Sequence, residues 1–250
     1  MTDRSDLRPW LRLGYVSPHP TVDTLAYEIY RMAPPGLMLV TTGLRISDYT
    51  AESVHEQLPA FHAAISLLRA RRVERVILSG VPIAIALGRE RMTRLLEEAS
   101  AAAEVQVDTD LEAIIAGVQH LGVRRVAIAT RWSAAVNDQL VRYLSEARIE
   151  VVDIVSSPRT IAENAQLDDT TGMGLALDLG RRAMESAARP EGVIMPGARW
   201  IAIHALQELE SEFDRPLFLN HASGLWAALR HHESPTPITE WGRLLASLRP

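Results

Sequence analysis

The chain has 250 residues, of which 47% are hydrophobic and 23% charged, a composition typical of soluble globular proteins. Its formal net charge of -5, with arginines scattered along the sequence, argues against nucleic acid as a partner. No apolar run is long enough to span a bilayer and the N-terminus is polar, so we expect a cytoplasmic protein without a secretory signal. Because there is no cysteine, disulfides, thiolate metal sites and thiol nucleophiles are excluded.

The first half of the sequence alternates short apolar strands with helices, which predicts an α/β fold with a mainly parallel sheet. Apolar residues at helical spacing favour one long amphipathic helix over 52–71. The predicted elements are strands at 13–17, 37–42 and 73–79 and helices at 21–32, 52–71 and 89–103.

The second half repeats this pattern. It predicts strands at 105–107, 125–130, 151–155, 192–195 and 217–220 and helices at 110–121, 134–147, 174–186, 202–213 and 223–230. The residues after 232 are predicted to form a tail over the surface.

Two turns, at 79–82 and 196–199, each follow a buried strand at a similar position in the two halves. This indicates an internal duplication, with both turns facing a cleft between two lobes. Parallel α/β sheets bind ligands beyond the carboxyl ends of their strands, where these turns lie. We predict lobe one at 11–115 plus 216–232, lobe two at 116–215, and a C-terminal tail at 233–250.

Five segments carry a family resemblance through their order and spacing, over about residues 11–230. They are GYVSP at 14–18, LGVRRVAIAT at 121–130, VNDQL at 136–140, GVIM at 192–195 and NHASGLW at 220–226. Together they resemble the arylmalonate decarboxylase and maleate isomerase branch of the Asp/Glu racemase superfamily. The resemblance implies two similar Rossmann-like lobes with parallel sheets, related by a pseudo-twofold axis, and a site in the interlobe cleft. It also implies chemistry on small carboxylates through enolate-like intermediates, with no cofactor.

The residues at the two turns depart from that family. Its racemases and isomerases place a cysteine on each turn and its decarboxylases keep only the second, and the resemblance aligns these positions with Gly80 and Gly197. Two-thiol racemisation or isomerisation is therefore excluded. The donors that follow the first turn are replaced by Val81 and Pro82, and proline has no N–H to donate. An aromatic hydroxyl of the decarboxylases is replaced by Trp132.

Other polar residues follow strand ends and suit an anionic substrate. Histidine exchanges protons near neutral pH, and arginine holds a carboxylate through a fork of N–H groups. We assign His19 and His221 as catalytic and Arg199 as the carboxylate ligand, while Arg131 ends another strand. The remaining substrate-binding candidates are Gly80, Val81, Trp132, Asn137, Gly197, Ala198 and Asn220.

Each assignment has a plainer alternative. A histidine at a strand end can cap a helix or lie on the surface, and Arg199 can pair with a surface carboxylate. Trp132 can be packing, and Asn137 can tie down the loop before its helix. Gly80 and Gly197 can serve to let the backbone turn tightly.

The sequence leaves three functions open. The first is a cofactor-independent lyase or isomerase, decarboxylase-like, that acts on a small carboxylic acid through an enolate-type intermediate, with histidine instead of cysteine moving the proton. The second is a hydrolase or hydratase in which histidine activates water. The third is a catalytically silent protein that binds a small acid or serves as a partner subunit. We expect no metal site, no membrane or nucleic-acid partner, and a possible homo-oligomer.

Overall fold

The computed structural model describes residues 9–18, 24–46, 48, 50–198, 200–232 and 236–249. The elements up to Thr109 are β1 (Leu11–Ser17), α1 (Leu25–Met32), β2 (Leu37–Gly43), α2 (Ala51–Glu56), α3 (Leu58–Ala70), β3 (Arg75–Leu78), α4 (Val81–Leu87), α5 (Arg89–Ala103) and β4 (Gln106–Thr109). The elements that follow are α6 (Asp110–His120), β5 (Arg125–Thr130), α7 (Ala134–Glu146), β6 (Glu150–Ser156), α8 (Ile161–Ala165), α9 (Asp169–Met184), β7 (Gly192–Met195), α10 (Ile203–Phe213), β8 (Leu217–Leu219), α11 (Asn220–Leu229) and α12 (Gly242–Ala246).

The chain divides into two compact units, each with its own four-stranded parallel sheet. The first unit holds the described residues of 1–20 and 33–109, and the second those of 21–32 and 110–250. The strand orders are β2-β1-β3-β4 and β6-β5-β7-β8, so the first strand of each unit lies between its second and third. The repeated order confirms the predicted α/β fold with two similar lobes.

The central strands form the core of each sheet. Val126, Ala127 and Ile128 of β5 are fully buried, as are Val193 and Ile194 of β7. Such continuous apolar runs are typical of parallel strands covered on both faces, which is why the sequence pattern located them. Within the described residues, the helices are too short or too polar to cross a membrane.

The division between the units differs from the predicted one. Residues 216–232 were assigned to the first lobe, but β8 pairs with β7 and extends the second sheet. Residues 110–115 also belong to the second unit, as does helix α1, although α1 lies between β1 and β2 in the sequence. Contacts between distant segments decide these memberships, namely the pairing of β8 with β7 and the packing of α1 and α6 on α11, and composition does not report them.

The predicted helix over 52–71 is interrupted. It consists of α2 and α3, with Gln57 serving both as the C-cap of the first and as the N-cap of the second. Pro59 lies in the first turn of α3, where its missing N–H costs nothing, whereas inside a continuous helix its ring would clash with the preceding turn. The apolar spacing continued across the break and concealed it.

Three helices were missed, and a fourth begins earlier than predicted. Helix α4 is apolar throughout, so no periodicity marks it, and it begins directly after Gly80. Helix α8 begins with a capping box formed by Thr160 and Glu163. Helix α9 begins at Asp169 instead of residue 174, because Asp168 caps it by accepting the N–H of Thr171.

The third missed helix corrects the predicted surface tail. Helix α12 buries Leu244 and Leu245, and Leu248 beyond it is also buried. A Cβ at Gly117 of α6 would come within 2.8 Å of Leu244, so the segment packs closely against that helix. The C-terminal residues are therefore part of the core of the second unit.

Candidate functional site

The two glycines at the strand ends adopt the same unusual backbone conformation. Gly80 follows β3 with φ +111°, and Gly197 follows β7 with φ +114°. L side chains rarely adopt this region, so both turns favour glycine. This agrees with the expectation that these glycines allow tight turns.

The turn in the first unit is surrounded by apolar atoms. A Cβ at Gly80 would lie 3.0 Å from Cδ1 of Ile83 and 3.3 Å from Cγ of Pro18. Val81 is fully buried in α4, so only its backbone could reach a ligand. Pro82 has no N–H to contribute.

The turn in the second unit is held by Asn220. The N–H of Gly197 donates to Oδ1 of Asn220 at 2.9 Å, and Nδ2 of Asn220 donates to Asp110 at 3.3 Å. Asn220 and Asp110 are both buried. The amide of Asn220 therefore supports the turn, and the N–H of Gly197, a substrate-binding candidate, already has an acceptor.

Asn137 has a similar supporting role in the loop after β5. Thr130 Oγ1 donates to its side-chain oxygen at 2.8 Å, and its Nδ2 donates to the carbonyl of Trp132 at 3.3 Å. The hydroxyl of Ser156 donates to the same carbonyl at 2.7 Å. The structure thus uses Asn137 to tie down this loop, the plainer of the two alternatives considered for it.

Arg131 brings a positive charge to the Gly197 turn. The residue is 4% exposed; its Nη1 donates to Oδ1 of Asn164 at 2.6 Å and its Nη2 donates to the carbonyl of Ala198. Its guanidinium lies 4.4 Å from the ring centroid of Trp200, a cation–π contact. The indole N–H of Trp200 donates to the carbonyl of Gly197 at 2.9 Å, so the contacts of Arg131 and Trp200 fix the loop that follows β7.

The space above Gly197 is lined by Arg131 and Trp132. A Cβ built on Gly197 would lie 3.4 Å from Nη2 of Arg131 and 3.7 Å from Cζ2 of Trp132, which are ordinary contact distances. Gly197 and Ala198 are partly exposed, whereas Trp132 is buried. A side chain at residue 197 would therefore contact both a cation and an indole ring.

His221 forms a buried pair with Glu28. Its Nδ1 contacts Oε2 of Glu28, and the two residues are 2% and 4% exposed. Glu28 Oε1 also accepts the N–H of Ala202, at 2.8 Å. Because Asn220, the neighbour of His221, binds Gly197 and Glu28 binds Ala202, the pair is tied to both ends of the loop between β7 and α10.

Two of the predicted site residues, His19 and Arg199, lie outside the described residues. Their assignments remain predictions. Among the described residues, no three histidine, cysteine, aspartate or glutamate side chains come together as metal ligands would.

Sequence reasoning missed Glu28 and did not assign Arg131 to the site. Glu28 lies on the buried face of α1 with Leu25, Ile29 and Met32, at helical spacing. An acidic residue within an apolar stripe requires a buried partner, and this was the available signal. Arg131 stood at a strand end, but nothing local indicated that its side chain turns toward Gly197.

Comparison with known proteins identifies relatives of this chain. Arylmalonate decarboxylase from Bordetella bronchiseptica is 26% identical over 196 residues, which are 78% of this chain and 80% of that protein. A crystal structure of arylmalonate decarboxylase has a TM-score of 0.76 at 24% identity and covers 94% of this chain and 98% of its own.

A second similar structure is a maleate cis-trans isomerase variant from Nocardia farcinica. It contains a covalently bound succinylcysteine intermediate and has a TM-score of 0.79 at 17% identity, covering 94% of this chain and 98% of its own. Both structural likenesses concern the fold, and both relatives are enzymes. The family model for arylmalonate decarboxylase matches residues 14–245, so this chain belongs to the arylmalonate decarboxylase family.

Proposed function

We propose that this protein is a cofactor-independent lyase or isomerase that acts on a small carboxylic acid through an enolate-type intermediate. In this proposal His221 is the proton donor and acceptor, and Glu28 orients it. Family membership supports the reaction class, because the relatives are a decarboxylase and an isomerase of small carboxylates. The absence of cysteine requires another proton carrier and closes the covalent route that the succinylcysteine represents in the isomerase.

The observation that carries the proposal is the buried contact between His221 and Glu28. A carboxylate at Nδ1 fixes the orientation of the ring and favours the imidazolium, which leaves Nε2 as the nitrogen that exchanges a proton. Burial strengthens this interaction by excluding water. The pair combines an orienting carboxylate with an imidazole, the side chain used most often in general acid–base catalysis.

Decarboxylation of a malonate illustrates the proton balance. The bond between the central carbon and one carboxylate breaks, CO₂ leaves, and the electron pair remains as an enolate conjugated with the second carboxylate. The imidazolium of His221 then gives its proton to the carbon and is reprotonated from solvent. For a racemase-type isomerase, the same ring would remove the proton on the carbon next to the carboxylate, which leaves the enolate, and would then return a proton to that carbon.

One observation favours a second candidate function, a silent protein that binds a small acid. The Gly197 N–H is already used by Asn220 and Pro82 has none, so two of the expected donors to an anionic intermediate are lost. A binding protein needs only a cation and a matching cavity. The two candidates differ in a single measurable property, which is turnover.

The test is incubation of the purified protein in D₂O with phenylmalonate, alkylmalonates and maleate, followed by NMR. An enzyme gives deuterium incorporation, CO₂ release or double-bond isomerisation. Stabilisation of the protein by an acid, seen as a rise in Tm, without any product supports the binding function and refutes catalysis.

Variants then test His221. We expect His221→Gln to lower kcat by about 10²–10⁴, the contribution of general acid–base catalysis. Glu28→Gln keeps an acceptor for Ala202 but removes the charge, so it should lower kcat less and move the alkaline limb of the pH–rate profile to lower pH. A purely structural pair would leave the profile in place.

His62→Ala is the matched control, because His62 is exposed on α3. It should retain full activity. His19→Ala tests the other predicted proton carrier in the same assay. Full rate in both the His221→Gln and the His19→Ala proteins would refute histidine as the proton carrier.

A further inference from the structure

Arg131 provides the cation that lies next to Gly197. Its guanidinium is held from three directions, by Asn164, by the carbonyl of Ala198 and by the face of Trp200. A charge fixed in this way loses little conformational freedom when a ligand arrives. The residue is therefore preorganised to receive an anion.

The geometry at Gly197 indicates where an anion would bind to Arg131. A Cβ there would lie 3.4 Å from Nη2 of Arg131 without crowding it. A carboxylate oxygen that accepts from Nη2 lies at about 2.7–2.9 Å from it. Because this oxygen is not bonded to Gly197, it must stay at van der Waals distance from the Cα, farther out than the Cβ position. Because residue 197 has no side chain, a carboxylate can approach the guanidinium across Gly197.

Trp132 forms the other wall of the same space. Its Cζ2 would lie 3.7 Å from the Cβ position, and the residue is buried. An apolar wall next to a cation selects a ligand that has both an anionic end and an apolar body. It also lowers the local polarity, which strengthens the attraction between guanidinium and carboxylate.

We propose that Arg131 is the substrate-binding residue that selects a carboxylate, which lies over its guanidinium in the space opened by Gly197 and against Trp132. This inference rests on the proposed function for the statement that the bound acid is a substrate. It differs from our sequence prediction, which gave the carboxylate to Arg199. The position of a family cysteine becomes, in this chain, a binding position for substrate charge.

The test measures binding and not turnover, so that its failure is separate from failure of the proposed catalysis. The probes are phenylacetate and isobutyrate, which carry one carboxylate, and their neutral amides. Affinities are measured by calorimetry or ligand-observed NMR at neutral pH. For the wild-type protein we expect at least one acid to bind more tightly than its amide.

Three variants test which residues cause the preference for the acid over its amide. Arg131→Met should weaken binding of the acid about tenfold or more, as expected for loss of a charge-assisted hydrogen bond, with little effect on the amide. Arg131→Lys should keep part of the preference, since it keeps the charge. Gly197→Ala should weaken both ligands, because its Cβ fills the binding space.

Arg142→Met is the control for charge alone, since Arg142 is exposed on α7 of the same unit. It should bind like the wild type. The inference is overturned if the wild-type protein prefers neither acid over its amide, or if Arg131→Met retains the preference. If Arg131→Met does not fold, unweakened binding by Gly197→Ala overturns it equally.

Discussion

A cysteine introduced at Gly197 would report the charge at the candidate site. The natural chain has no cysteine, so the new thiol would be the only one present. Its Cβ would lie 3.4 Å from Nη2 of Arg131. We predict that the guanidinium lowers the pKa of this thiol below the pKa of the thiol in the equivalent variant Gly80→Cys.

The magnitude follows from the distances. A charge pair separated by about 4 Å in a medium of effective dielectric constant about 20 gains about 4 kcal/mol, or about three pKa units before burial opposes it. Cysteines next to arginine have pKa values of about 3.5–7.5, against about 8.5 for a free thiol. We therefore expect a value below about 7.5 at residue 197.

Gly80→Cys is matched to this variant in backbone strain. Both positions have φ near the same value, +111° and +114°, so both variants should lose a similar amount of stability, about 1–3 kcal/mol. At Gly80 the nearest atoms to a Cβ belong to Ile83 and Pro18, and an apolar environment raises the thiol pKa. The N-terminus of α4 lowers it, so we expect a value between that at residue 197 and that of a free thiol. A thiol pKa that is lower at residue 197 than at residue 80 therefore reports an effect of Arg131 larger than that of a helix N-terminus.

The assay is the ultraviolet absorbance of the thiolate as a function of pH, which does not require the thiol to be accessible to a reagent. Circular dichroism across the same pH range confirms that each variant remains folded. Equal pKa values, or a higher value at residue 197 than at residue 80, would show that Arg131 does not influence the space above Gly197.

Two further predictions concern stability. In α9, Gly174→Ala should stabilise the protein by about 0.5–1 kcal/mol, because the added Cβ meets nothing within 4 Å. The Cβ of Gly180→Ala would lie 2.5 Å from Leu209, so in urea denaturation this variant should be less stable than Gly174→Ala by about 1–3 kcal/mol. Equal stabilities of the two variants would contradict the packing of α9 on α10. Burial raises the pKa of Glu210 above its ordinary 4.5, although the N–H groups of Leu217 and Arg243 oppose this. Between pH 4.5 and the raised pKa, the folded state therefore binds more protons at Glu210 than the unfolded state. The free energy of unfolding of the wild type, relative to that of Glu210→Gln, should fall as the pH rises through this range. A relative stability that rises with pH would show that folding does not raise the pKa of Glu210.

The sequence predicted the strands well because each is a local property. Buried parallel strands such as Arg125–Thr130 are short apolar runs bounded by turns, and the family segments placed them in order. Helix α4 was missed because a segment with no polar residue shows no period. The break at Gln57 was missed because the apolar spacing of α2 and α3 continues across it.

The site was predicted only in part, because its contacts join distant segments. Asn220 and His221 were located from the end of the last strand. Glu28, however, lies 193 residues before His221, and no spacing rule connects them. The same holds for Arg131 and Ala198, which are 67 residues apart. Chemistry-bearing residues can be placed at a sheet edge from sequence, but their partners come from packing.

The distance in sequence between Glu28 and His221 also orders events during synthesis. The ribosome makes the carboxylate 193 residues before the imidazole. Until residue 221 has been made, Glu28 and the apolar face of α1 have no partner on α11. The candidate site can therefore form only after residue 221 has been made, and a nascent chain stopped before it contains the strands of the first sheet but not the pair on which the proposed chemistry depends.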